Sequence, residues 1–233
     1  MLVSYERNFL FVHIPKTAGT SIRNSLSAYA VCPESFWENR LLTRFGIHVN
    51  TVGPWHRKWF RPHCSADDIR RHLPADVYNR LFKFAFVRNP WDLLVSLYNF
   101  IPSRPTHRHR KRVADMSFAD FVDEWTRRPE ILQAPRIRDR QGRLIVDFVG
   151  CFENVSLDFK VICSRIGITV TLPCHNRSRH DDYRSSYTEP LKQLVAERLA
   201  EDIEFLGYTF DGVTDSPCRT ASAAVKSAER SAA

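Results

Sequence analysis

Residues 9–26, FLFVHIPKTAGTSIRNSL, decide the fold because a strand pattern, a turn and a helix pattern follow one another in one short stretch. The opening run FLFVH is apolar and aromatic and is long enough for one buried strand. From Thr20 onward, Ile22 and Leu26 stand four residues apart, which places them on one face of a helix. Pro15, Lys16 and Gly19 lie between these two patterns and are typical of a turn. We therefore predict a strand, a tight loop and a helix.

The predicted loop carries groups that bind phosphate. A turn of this kind directs backbone N–H groups and a helix N-terminus toward one point, where the helix dipole favours an anion. Lys16 adds a positive charge, and hydroxyl groups stand at Thr17, Thr20 and Ser21. The order differs from the usual phosphate loop, G-x-x-x-x-G-K-[ST], because Lys16 precedes the only glycine. We predict an anion site; the alternative is an ordinary turn with an exposed lysine.

Residues 83–100, KFAFVRNPWDLLVSLYNF, predict a second strand that runs into a second helix. Asn89 is expected to cap this helix, with a proline as its first residue. Arg88 stands at the end of the strand, and Ser96 lies two turns into the helix. Arginine suits a terminal phosphate because its planar guanidinium can donate two parallel hydrogen bonds. The alternative places Arg88 in a structural ion pair and Ser96 on the helix surface.

Both stretches resemble motifs of the membrane-type carbohydrate sulfotransferases, the heparan- and chondroitin-like family that uses 3′-phosphoadenosine 5′-phosphosulfate (PAPS). HIPKTAGTS resembles the 5′-phosphosulfate loop of that family. VRNPWDLLVSLY is similar to its 3′-phosphate motif, in which Arg88 and Ser96 fall on the two binding positions. The resemblance covers residues 9–210. It implies that PAPS is the sulfuryl donor and that its phosphosulfate is held by Lys16, Thr17, Ala18, Gly19, Thr20 and Ser21.

Strand, loop and helix units spread along the chain predict an α/β fold with a central parallel sheet flanked by helices. The resemblance implies that this is the P-loop-like, three-layer fold. Ligands of such sheets bind at the carboxyl ends of the strands, which is where both motifs stand. We assign residues 1–212 to one sulfotransferase domain. Residues 213–233 are rich in alanine and serine with few apolar anchors, which predicts a disordered tail.

The segment 62–73, PHCSADDIRRHL, supplies the candidate base. Ser65 and Asp68 have the spacing of a capping box, so His63 precedes a helix N-terminus whose dipole disfavours a second positive charge. The segment also resembles the family's region between the two cofactor motifs, whose histidine is the catalytic base in relatives where the role is assigned. The resemblance places that role on His63. The alternative bases are His56, His48 and His13.

Four later segments are predicted from less specific patterns. Residues 104–112, RPTHRHRKR, are predicted to form a solvated loop, with an acidic-acceptor surface as the alternative. Residues 144–149 read as a strand. Residues 175–187 resemble a family block that either closes over the nucleotide or forms a surface loop. A last helix is expected between Pro190 and Gly207.

The composition of the chain indicates which kinds of partner and which cellular location to expect. The 233 residues suit one α/β domain, and the net charge of +8 favours an anionic partner. Nucleic acid is the usual inference from such a charge, but PAPS is itself a polyanion, so we expect no nucleic acid. The six cysteines lack C-x-x-C spacing, which argues against zinc. With no apolar run of about 18 residues and no signal peptide, we expect a cytoplasmic, bacterial enzyme without a membrane span.

The resemblance implies transfer of a sulfuryl group from PAPS to a hydroxyl, on a carbohydrate or glycoconjugate, by in-line displacement. His63 would take the acceptor proton, and Lys16 would stabilise charge on the departing phosphate. We expect no metal, because a sulfuryl group carries less charge than a phosphoryl group. One alternative is a P-loop-like nucleotide-dependent kinase, which would need a magnesium ligand and the usual loop spacing. The other is a non-enzymatic polyanion-binding module, which explains the charge but not the two phosphate motifs.

Overall fold

A computed structural model of the chain describes residues 1–31, 63–172 and 182–213, together with residues 40, 41 and 44. The alternative bases His48 and His56, residues 175–181 of the polar segment and the tail beyond residue 213 lie outside the described residues. The chain forms two compact units, which are Met1–Val87 with Pro135–His175 and Arg88–Ala134 with Asn176–Ala233.

The described elements are numbered here in chain order. The strands are β1 (Leu2–Ser4), β2 (Phe9–Val12), β3 (Phe82–Val87), β4 (Phe148–Cys151), β5 (Tyr208–Thr209) and β6 (Gly212–Val213). The α-helices are α1 (Gly19–Leu26), α2 (Ala66–Arg70), α3 (Ala75–Arg80), α4 (Pro90–Ser103), α5 (Arg110–Ala114), α6 (Phe118–Trp125), α7 (Val155–Arg165), α8 (Glu189–Arg198) and α9 (Ala200–Leu206). None of these helices is long and apolar enough to cross a membrane.

The first unit contains the central sheet, in the order β1-β2-β3-β4. Strands β2, β3 and β4 are parallel, with Phe11 opposite Phe84 and Phe84 opposite Phe148. The α/β class, with a sheet of mostly parallel strands flanked by helices, is confirmed. Strand β1, which was not predicted, pairs antiparallel with β2. The short turn between them, which includes Asn8 at φ 49°, permits only a hairpin, and a hairpin joins antiparallel strands.

Aromatic side chains from neighbouring strands form the core of this unit. Phe9, Phe11, Phe84 and Phe86 are fully buried, and the rings of Phe11 and Phe84 are stacked with centroids 5.3 Å apart. Strand β3 is buried along nearly its whole length, as expected for a parallel strand covered on both faces. Burying side chains of this size is the main stabilising contribution to such a core.

Strand β4 begins later than predicted. Residues 144–147 precede it, and Leu144 is 39% exposed. The backbone N–H of Ile145 donates to the carbonyl of Ile137, and Leu144 forms a bridge with Arg138. Leu144 and Ile145 therefore pair with a preceding segment of the chain instead of extending β4, whereas the backbone N–H of Asp147 already donates to the carbonyl of Lys83 in β3 at 2.7 Å.

The second unit is helical, with a core built from one face of α4 and the helices packed on it. Its most buried members are Trp91, Leu93, Leu94, Ile101, Phe121, Val122, Trp125, Val195 and Leu199. The single last helix that was predicted is two helices, because helical structure is interrupted at Leu199. The basic run 104–112 is largely exposed, as predicted, but its last residues form the start of α5. Val213, which was assigned to the tail, belongs to β6.

Candidate active site

The loop between β2 and α1 has an unusual backbone. Lys16 has φ 65° and Ala18 has φ 61°, which are left-handed conformations that residues with a Cβ rarely adopt. Each costs on the order of 1–3 kcal/mol, and such strain concentrates at functional sites. A backbone that passes through left-handed positions in this way turns successive N–H groups toward one concavity, which is a recurrent anion site. The carbonyl of Ala18 then accepts the N–H of Ile22 as α1 begins.

The side chains of the loop differ in what they can offer a ligand. Thr17 is fully buried, and its hydroxyl donates to the carbonyl of Ile14 at 2.9 Å. This hydrogen bond stabilises the turn of the loop. The Thr17 hydroxyl proton is therefore used within the loop and is not donated to a ligand. Ser21 is buried in the first turn of α1, Thr20 is exposed and Lys16 is half-buried.

Gly19, the first residue of α1, is required by the side chain of His13. A Cβ added at Gly19 would lie 1.9 Å from Nε2 of His13, so the imidazole occupies the space that any side chain would need. The His13 ring also stacks on Phe11, with centroids 5.8 Å apart, and meets the ring of His63 edge-on at 4.7 Å. Burial lowers the pKa of His13 to about 2, so this ring is neutral.

His63 is held in the orientation and protonation state that a general base needs. Its Nδ1 lies 3.2 Å from the carbonyl oxygen of His13. A carbonyl can only accept, so in the neutral ring Nδ1 carries the hydrogen and Nε2 presents a lone pair. Burial, the largest effect, lowers the pKa of His63; the hydrogen bond to His13 opposes this, and the charges of Arg136 and Arg23 add to it. Arg136 donates from Nη1 to the His63 carbonyl at 2.5 Å.

The neutral state of His63 agrees with the prediction, but its main cause differs. The capping box is present: the Ser65 hydroxyl accepts the N–H of Asp68 at 3.1 Å, and the Asp68 carboxylate accepts the N–H of Ser65 at 3.2 Å. Helix α2, however, ends at Arg70, so Leu73 lies beyond it. Burial of the imidazole, rather than this short helix, therefore dominates the lowered pKa of His63.

In the second unit, Arg88 is the residue that follows β3, and its side chain is buried. Its Nε and Nη2 donate to the two carboxylate oxygens of Asp92 at 2.8 and 2.9 Å. The structural ion pair considered from the sequence is thus present, and the phosphate contact stays a prediction. Asn89 caps α4, as predicted, by accepting the N–H of Trp91 at 3.0 Å. Ser96 is buried within α4.

The structure shows contacts between some of the predicted site residues, and it also shows a contact of Arg88 with a residue that was not predicted. In the first unit, His13 contacts both Gly19 and His63, a connection that the sequence did not indicate. In the second unit, Gln133 binds the backbone of Arg88 through both atoms of its side-chain amide. No pattern in the neighbouring sequence predicts this contact of Gln133. Among the described residues, no cluster of three or more histidines, cysteines or acids could hold a metal ion.

The described part of the 175–187 segment uses its tyrosines for packing. The hydroxyl of Tyr183 donates to the carbonyl of Phe210, and that of Tyr187 donates to the carbonyl of Trp91 at 2.9 Å. Both rings also pack edge-on against Phe210. The two tyrosines are partly buried against the core of the second unit, while the residues between them are exposed.

Comparisons with known proteins assign the chain to a family. The model of the sulfotransferase family matches residues 1–209. An uncharacterised protein of Archaeoglobus fulgidus is 29% identical over 120 residues, which are 50% of this chain and 93% of that protein. The crystal structure of mouse sulfotransferase SULT7A1 complexed with PAP is similar with a TM-score of 0.42 and 15% identity, over 96% of this chain and 90% of that chain. The chain belongs to the sulfotransferase family, whose reaction is the transfer of a sulfuryl group.

The contact between His13 and Gly19 predicts a specific pair of variants. Gly19→Ala should destabilise the protein by about 1–3 kcal/mol, because the new methyl group overpacks against the partly buried imidazole. In a His13→Ala background the same change should be neutral or stabilising, since alanine favours a helix over glycine by about 1 kcal/mol. Urea unfolding of the four proteins measures both effects. An equal cost in the two backgrounds would show that the imidazole is not the obstacle.

Proposed function

We propose that the protein transfers the sulfuryl group of PAPS to a hydroxyl of a carbohydrate or glycoconjugate, by in-line displacement with His63 as the base. The observation that carries this proposal is the pair of left-handed residues, Lys16 and Ala18, in the loop after β2. Such a backbone costs free energy and is found mainly at functional sites, and its N–H groups suit a phosphosulfate. Membership of the sulfotransferase family supports the same reaction class.

In this proposal the 5′ phosphosulfate lies over residues 16–21. The backbone N–H groups of Lys16, Thr17, Ala18 and Gly19 and the start of α1 supply donors, and the Lys16 ammonium supplies charge. Because the Thr17 hydroxyl donates to Ile14, the contribution of Thr17 comes from its backbone. Thr20 and Ser21 add hydroxyls at the first turn of α1.

The 3′-phosphate of the donor is assigned to Arg88 and Ser96. A guanidinium has five N–H donors, of which the pair with Asp92 uses one on Nε and one on Nη2. The proposal places the 3′-phosphate against this guanidinium. The support for these two residues is their match to the family's 3′-phosphate motif, together with the rigid placement of Arg88.

The chemical step follows from the state of His63. Its Nε2 lone pair accepts the proton of the acceptor hydroxyl as that oxygen forms a bond to sulfur. The bond between sulfur and the bridging phosphate oxygen breaks, and 3′-phosphoadenosine 5′-phosphate (PAP) leaves with the electron pair. Lys16 and the loop N–H groups stabilise the charge that grows on this phosphate. A neutral, partly buried histidine with a fixed tautomer is suited to this step because no proton has to leave it first.

The carbohydrate class of acceptor is supported by the resemblance of HIPKTAGTS and VRNPWDLLVSLY to carbohydrate sulfotransferases. A donor with several phosphate charges also suits a chain with a net charge of +8. A kinase is disfavoured by family membership and by Arg88, since a cation stands directly after β3 where a magnesium ligand would be needed.

Lys16→Ala tests the activity and the leaving-group role together. The wild-type protein, given labelled PAPS and a panel of glycans, should yield a product that is heavier by about 80 Da in mass spectrometry. Lys16→Ala should lower turnover by about 10²–10³-fold, the effect of one donor to a developing anion. Lys160→Ala, an exposed lysine on α7, is the matched control and should keep wild-type turnover. Wild-type turnover in Lys16→Ala would remove Lys16 from the mechanism.

The assignment of Arg88 predicts selective loss of affinity for ligands with a 3′-phosphate. Arg88→Ala combined with Asp92→Asn avoids leaving a buried carboxylate unpaired. This double variant should bind PAP about 10–100-fold more weakly, the effect of a lost charged hydrogen bond of about 1.5–3 kcal/mol. Affinity for adenosine 5′-monophosphate should be unchanged in calorimetric titration. If the wild type binds both nucleotides equally well, the 3′-phosphate is not recognised here.

The role of His63 predicts a particular pH profile. Only the neutral ring accepts a proton, so turnover should rise with pH through the pKa of His63, which lies below the ordinary value of about 6.5. His63→Ala should keep PAP affinity and lose about 10²–10⁴-fold in turnover. His72→Ala, in the same segment, should keep the wild-type profile. Unchanged turnover in His63→Ala would transfer the role to another base.

A further inference from the structure

A buried amide clamps the backbone of Arg88. Gln133 is 1% exposed. Its Oε1 accepts the N–H of Arg88 at 2.9 Å, and its Nε2 donates to the carbonyl of Arg88 at 2.7 Å. The side chain therefore replaces the strand neighbour that a residue just past the end of β3 would otherwise need. Both backbone polar groups of Arg88 are satisfied by this one side chain, over a separation of 45 residues.

Asp202 in turn fixes Gln133. It lies in the first turn of α9 and is 2% exposed. Both of its carboxylate oxygens accept the backbone N–H of Gln133 at 3.1 Å, and Oδ1 also accepts the N–H of Ala134 at 2.6 Å. A carboxylate that receives backbone N–H groups forms charge-assisted hydrogen bonds, which are stronger than neutral ones.

The guanidinium of Arg88 is the end of this chain of contacts. Its bidentate pair with Asp92 fixes the side chain, while Gln133 fixes the main chain. An arginine side chain has many rotamers, and a ligand must offset the entropy of ordering them unless the side chain is already ordered. Ordering before binding raises affinity for the ligand without adding a contact.

We propose that Gln133 and Asp202 are positioning residues that hold Arg88 ready for the 3′-phosphate, and so determine the preference for a nucleotide with a 3′-phosphate over one without. The inference rests on the proposed function, in which Arg88 binds that phosphate. A buried and well satisfied polar network is rigid, and this rigidity is what an apolar residue at position 133 could not supply. Gln133 touches no part of the donor in this scheme; it acts through Arg88.

Two variants of Gln133 test the proposal in the full chain. Gln133→Glu keeps the shape but replaces the donor to the Arg88 carbonyl with an oxygen. Gln133→Met keeps a similar volume and removes both hydrogen bonds without adding charge. Gln193→Glu is the matched control, because it makes the same charge change at an exposed position on α8 of the same unit. The measurement is the affinity of each protein for PAP and for adenosine 5′-monophosphate by calorimetry, with thermal unfolding alongside.

The expected result is that both Gln133 variants bind PAP about tenfold or more weakly, as for a weakened charged hydrogen bond, while their affinity for adenosine 5′-monophosphate stays at the wild-type level. Gln193→Glu should match the wild type for both nucleotides. The proposal is overturned if the Gln133 variants keep the wild-type ratio of affinities, or lose both affinities in equal proportion as a purely structural residue would. A wild type without any preference for PAP would instead refute the role of Arg88 itself.

Discussion

Parallel pairing of β2 with β3 is the constraint on which the remaining structure depends. It aligns the two strands with Val12 opposite Ala85, so the carboxyl ends of both strands lie at the same edge of the sheet. The left-handed loop follows one strand, and Arg88 is the next residue of the chain after the other. Apolar side chains along both strands make this register costly to change, because a shift of one residue would separate the stacked rings of Phe11 and Phe84.

Burial decides the chemistry of the histidines. A hydrogen bond from Nδ1 of His63 to the His13 carbonyl would by itself stabilise the charged ring and raise its pKa, but burial has the larger effect and the pKa is lowered. The same hydrogen bond then has a second consequence, since it selects the tautomer that leaves Nε2 as an acceptor. The His13 carbonyl belongs to the segment that leads into the loop, so this segment also orients the ring of His63.

Arg88 shows that a structural ion pair and a proposed ligand contact are compatible in one residue. A buried arginine needs a partner because an unpaired charge in the interior is expensive, and Asp92 supplies it from the first turn of α4. Such a pair contributes less to stability than to a defined geometry. Together with Gln133, it gives a long and flexible side chain a single orientation, which is the condition for selective recognition of a phosphate.

The sequence by itself determined the features that arise within a few residues. The two strand-to-helix motifs, the Asn89 cap and the Ser65 capping box are all local, and each was predicted because its partners lie within four positions along the chain. Only the tertiary structure decided the tautomer of His63 and the clamp on Arg88. The bonds to His63 and Arg88 span 50 and 45 residues, and no local propensity or spacing encodes such a contact. They exist because the packed sheet and helices bring distant backbone groups together, where burial obliges each polar group to find a partner.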